Sequence, residues 1–173
     1  MKICSIKLLL LVMLLGLAAR PARGQGTIVI QHSGYNDPTL EGFSLNEANA
    51  SVAPIANDLG MNAWATIVPS NGLYADYSKT FDSQQADELN GQDWVLSLTL
   101  RIVGIDTKGL STASLGSYYT LFFGSESNGD PFVRIENDTY ILNGAGSSYN
   151  NYQLIYDASV NAASLWVNGI DRI

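Results

Sequence analysis

The sharpest pattern in the chain lies at residues 94–103. The even positions Trp94, Leu96, Leu98, Leu100 and Ile102 are all apolar, while the odd positions Val95, Ser97, Thr99, Arg101 and Val103 are mixed. A period of two with one apolar face predicts a half-buried strand. The same reasoning predicts strands at Tyr118–Phe123, Pro131–Glu136, Thr139–Leu142, Tyr152–Tyr156 and Ala163–Val167. Weaker alternation marks Thr27–Gln31, Ala63–Val68 and Leu73–Ser78. Asn-Gly pairs at 71–72, 90–91, 128–129, 143–144 and 168–169 punctuate these runs. Short turns between successive strands imply antiparallel hairpins rather than parallel crossover units. One short helix is expected at Ser83–Leu89, capped by Asp82 and stopped by Asn90-Gly91. Asn46–Leu59 has room for another short helical turn, interrupted by Pro54. The expected class is all-β and antiparallel.

The first 24 residues follow a different rule. Lys2 and Lys7 supply positive charge, Leu8–Ala19 is a twelve-residue apolar run, and small residues follow up to Gly24. Twelve residues are too few to span a hydrocarbon core about 30 Å thick. Charged start, short apolar centre and small-residue exit predict a secretory signal at 1–24. The expected cut precedes Gln25, with a cut after Ala19 as the alternative. Residues 25–173 then form one domain, placed outside the cell or in its envelope, with no membrane insertion after cleavage. The lone Cys4 precedes the apolar run, so it is not placed as a lipoprotein cysteine.

Cleavage changes the charge. The whole chain has nine basic and sixteen acidic residues. Four basic residues and no acidic ones lie in the leader, which leaves five against sixteen, a net charge near −11. The remaining cations (Lys79, Arg101, Lys108, Arg134, Arg172) are scattered, whereas nucleic-acid binding needs a clustered basic face. An anionic membrane surface is disfavoured on the same ground. Residues 25–173 contain no cysteine, so the core alone must hold them.

Candidate chemistry is sparse. Glycosidases need two carboxyls at a defined separation, and no Glu-x-Asp-x-Glu string occurs. Glu136 and Asp138 are suitably spaced but flank an expected turn. His32 is the single histidine, and without a Gly-x-Ser-x-Gly elbow or a cysteine it suggests neither a nucleophilic triad nor a zinc site. It reads as a loop or strand-end residue. No catalytic group is assigned. Calcium prefers oxygen-rich loops, and 126–130 and 157–161 are such loops. Asp130 is the best single candidate ligand, because Pro131 fixes the backbone after it. Two sequons are present, Asn49-Ala50-Ser51 and Asn137-Asp138-Thr139.

Residues 149–170, Tyr-Asn-Asn-Tyr-Gln-Leu-Ile-Tyr-Asp-Ala-Ser-Val-Asn-Ala-Ala-Ser-Leu-Trp-Val-Asn-Gly-Ile, resemble the core hairpin of laminin-G-like, concanavalin A-like domains. Trp166 stands where that family has Tyr, and Asn168 where it has Asp. Trp94–Ile102 resembles its sheet-forming strand, and 122–133 is compatible with its next hairpin. The resemblance covers roughly Asp93–Ile173. It implies a jelly-roll sandwich, of which one or two closing strands are expected beyond the Asn168-Gly169 turn, so the chain reads as truncated at its C-terminal side. Such sandwiches serve as lectins, adhesion modules, accessory domains and enzymes, so the fold leaves function open. The expected function is a non-catalytic, lectin-like carbohydrate-binding module, with Trp166 as the candidate sugar-stacking residue and Trp94 in the core. The alternatives are a structural or protein-adhesion domain, and an accessory domain of a glycoside hydrolase.

Overall fold

A computed structural model describes residues 3–7, 32, 34–67, 74–89, 92–103, 111–115 and 119–172. The predicted strand at Thr27–Gln31 and the Asn71-Gly72 and Asn90-Gly91 turns lie outside them. The described chain is mostly strand. In order these are β1 (Ile3–Lys7), β2 (Ser44–Ala48), β3 (Ser51–Asp58), β4 (Met61–Ile67), β5 (Tyr74–Ser78), β6 (Trp94–Val103), β7 (Ser111–Leu115), β8 (Tyr119–Ser125), β9 (Pro131–Ile135), β10 (Asp138–Ile141), β11 (Tyr149–Asp157), β12 (Ala162–Val167) and β13 (Ile170–Asp171). One α-helix, α1 (Ser83–Leu89), precedes β6, and a 3-10 turn occupies Pro38–Glu41.

Among the described residues every strand pairing is antiparallel. A seven-stranded sheet runs β13-β12-β11-β6-β1-β4-β3, a four-stranded sheet runs β10-β9-β8-β7, and β2 pairs with β5. The alternation at 94–103 has the expected outcome, because Leu96, Leu98, Leu100 and Ile102 are all buried. Register stacks these residues into rows across the sheet. Leu96 stands opposite Leu154, which stands opposite Leu165. Leu98, Tyr152 and Val167 form the next row. Leu121 and Phe123 of β8 and Val133 and Ile135 of β9 join the same buried cluster, with the Phe123 ring edge-on to Tyr152 at 5.0 Å. Each fully buried side chain of this size stabilises by roughly 1.5–3 kcal/mol relative to exposure.

The helix occupies the residues expected of it. Asp82 Oδ1 accepts the Gln85 backbone N–H at 2.8 Å, and Gln85 Oε1 accepts the Asp82 N–H at 3.1 Å. This is a reciprocal cap.

Two expectations need correction. The helical turn within Asn46–Leu59 is absent, since β2 and β3 occupy that stretch. Pro54 is compatible with a strand because β3 lies at the sheet edge, where no neighbour needs its missing N–H. The odd face of β6 is not simply solvated either. Arg101 Nε and Nη2 donate to Asp58 at 2.9 and 2.6 Å, and the Tyr149 hydroxyl donates to the same carboxylate at 2.7 Å. The turn that carries Asp58 needs left-handed backbone at Asn57, Leu59 and Gly60.

Candidate functional site

The β11–β12 hairpin builds an open concavity beside Trp166. Its turn spans 158–161 and closes with Asn161 at φ 51°. Asp157 Oδ1 accepts the Ser159 N–H and hydroxyl at 2.9 and 2.5 Å. Such local bonds are why Asp and Ser favour turns. Asp93, just before β6, accepts the Ala158 N–H at 2.9 Å and ties the turn to the neighbouring strand. The geometry therefore fixes two carboxylates at one end of the hairpin.

Trp166 lies on the opposite face of β12 from buried Leu165 and Val167 and is half-buried. Gln153 stands beside it on one side and Asp171 on the other. Its indole N–H donates to Ser164 Oγ at 3.1 Å, which holds the ring relative to its own strand. Between Trp166 and the turn runs a shallow groove of about 370 Å³, lined among others by Ile155, Ser164 and Val160 and bordered by Asp93 and Asp157. An apolar ring and aliphatic floor with a few fixed polar groups suit a small ligand that has both apolar and hydroxylated faces.

Trp94 takes a different place. It is half-buried at the end of the main cluster. Its ring stacks on Tyr156 at 5.1 Å and 17° and meets Tyr119 edge-on at 6.1 Å. Tyr156 in turn donates its hydroxyl to Asn161 Oδ1 at 2.9 Å. Trp94 and Trp166 thus sit on opposite faces of the large sheet, as the strand registers require.

Asp130 belongs to another region. Its Oδ1 accepts the backbone N–H groups of Gly144 and Gly146 at 3.0 and 3.3 Å, and Oδ2 accepts from the Asn128 side chain at 3.0 Å. Asp130 therefore pins the β8–β9 turn to the loop after β10. Among the described residues, no three His, Cys, Asp or Glu side chains gather as a metal site would require. Glu136 and Asp138 are exposed on the β9–β10 turn, with Glu136 at φ 52°. His32 is buried, and its Nδ1 lies 2.7 Å from Glu41 Oε2. Both sequon asparagines, Asn49 and Asn137, are exposed.

Sequence reasoning reached Trp166 but not its groove. Ile155, Ser164 and Asp93 become neighbours only through the β6–β11–β12 register, and no spacing in the chain announces that. No family model, no curated protein and no solved structure matches this chain.

Proposed function

We propose that this chain is a secreted or surface-displayed, non-catalytic domain of the laminin-G-like, concanavalin A-like jelly-roll class, and that it binds carbohydrate along the Trp166 groove. The observation that carries the reading is the pairing of a half-buried indole with an aliphatic floor and two fixed carboxylates. A pyranose offers one apolar C–H face to an aromatic ring and a rim of hydroxyls to carboxylate acceptors. Trp166 takes the first and Asp93 and Asp157 the second. Neutral or basic glycans suit the site better than acidic ones, because residues 25–173 carry a net charge near −11.

Screening the exported protein on a glycan array tests this. Binding to a set of neutral or amino sugars, lost in Trp166→Ala with an unchanged melting curve, is the expected result. An array with no binding, with and without calcium, contradicts it. Protein adhesion is the second reading, favoured by Val160, which is 68% exposed at the groove rim.

A further inference from the structure

The seven-stranded sheet contains a strand that the export reading removes. Ile3–Lys7 lies between β4 and β6 and pairs with both. Without it, β4 and β6 stand about 9.6 Å apart, two strand spacings, each with an unpaired row of N–H and C=O groups. This gap is in the middle of the sheet, not at its rim. Ala63, Trp64, Ala65 and Thr66 on one side and Leu100 and Ile102 on the other are buried. Buried backbone groups need partners, and β4 and β6 run parallel to each other, so closing the gap would require a new kind of pairing.

We infer that in the exported protein Thr27–Gln31 fills this gap, so that the leader holds in the precursor a place taken by the mature chain's own first strand. The inference rests on the reading of 1–24 as an export signal and is independent of the carbohydrate site. Three observations select this occupant. It has the five-residue length of Ile3–Lys7 and lies just after the expected cut. It has apolar residues in the right rows. Cys4 stands opposite Thr66 and Ile102, and Ile6 opposite Trp64 and Leu100, so Ile28 and Ile30 would fall in those core-side rows.

The third observation is where the chain emerges. The slot's exit is at Ile6–Lys7, beside Trp64 and Thr99. The Trp64 indole donates to the Tyr77 hydroxyl of β5 at 2.8 Å, and Ser78 of β5 pairs with Ser44 of β2. Phe43, just before β2, meets the ring of His32 edge-on at 6.1 Å. His32, the residue after Gln31, is thus linked through Phe43 and the β2–β5 pair to the strand that borders the exit.

The test uses the full chain, exported from an expression host, with pairs of introduced cysteines. Residues 25–173 have none of their own. Ile28→Cys with Thr66→Cys, or Ile30→Cys with Trp64→Cys, each a directly opposed pair in this register, should give a crosslinked monomer whose gel mobility changes on reduction. Val29→Cys with Thr66→Cys, out of row, should not. As a second measure, Ile28→Asp with Ile30→Asp should lower the melting midpoint by on the order of 10 °C. No crosslink from either isoleucine position, together with an unshifted melt of the double aspartate variant, overturns the inference. A mass showing residues 1–24 retained in the folded exported protein overturns the leader reading and the inference with it. A failed glycan array leaves both standing.

Discussion

Arg101→Ala should destabilise this protein well beyond what a surface substitution does. A polar residue on the outer face of a half-buried strand normally costs within about 0.5 kcal/mol to remove. Arg101 differs because two of its nitrogens bond the Asp58 carboxylate and both side chains are only 13% exposed. Removing one partner of a buried pair costs about 3–5 kcal/mol, because the other charge is left uncompensated. The residual exposure argues for the lower end, about 3 kcal/mol, or roughly 6–12 °C in Tm for a domain of this size. Asp58→Ala should cost at least as much, since it also strands the Tyr149 hydroxyl. A double-mutant cycle in urea isolates the pair, with an expected coupling of at least about 1.5 kcal/mol, within the range for residues that share a network. A coupling below about 0.5 kcal/mol would show that Arg101 and Asp58 do not act as a buried pair.

The remaining predictions are narrower. Burial, then the hydrogen bond to Asp58 and that residue's charge, push the Tyr149 hydroxyl up to about 12 from its ordinary 10.0, against the opposing pull of Arg101. A raised folded-state value favours the folded state fully below pH 10 and is lost as pH rises towards 12; Tyr149→Phe should flatten the fall in stability across that window, read by denaturant melts, and an unchanged slope counts against it. Gly124→Ala should cost roughly 1–3 kcal/mol, because a methyl there overlaps the Phe132 ring; Phe132→Leu in the same chain should recover part of the loss in urea midpoint. Asp130→Ala should cost about 1–2 kcal/mol and speed amide exchange at Gly144 and Gly146, the two N–H groups it holds; unchanged exchange there contradicts its pinning role.

The parts of the fold legible in the sequence are those where local and tertiary preferences agree. β6 was readable to the residue because burial on one face imposes a period of two over ten positions. The helix α1 was readable because Asp82 and Gln85 cap it within the sequence itself. β2 and β3 were not, since an edge strand with Pro54 and a separate two-stranded pairing need no clean alternation. The short, Ser-rich β7 carries too little apolar content to signal a strand. In Ile3–Lys7 the visible signals are charge and the apolar run that follows, and these say nothing of sheet pairing. Trp166 was a visible candidate because tryptophan is conspicuous, but its floor and rim come from β11, β12, their turn and Asp93 before β6, which only register brings together. The Arg101–Asp58 pair was not legible for a related reason: Asp58 is 43 positions away in a turn whose path the pattern does not encode.

The proposal that Trp166 is the sugar-stacking residue is tested most directly by the indole N–H signals of the three tryptophans during titration with a glycan selected on the array. Trp64 is buried and bonded to Tyr77, and Trp94 is stacked on Tyr156 on the opposite face of the sheet. The Trp166 signal should move saturably with ligand while the other two stay within line width. A Trp166 signal that does not move, or a response confined to Trp94, contradicts it.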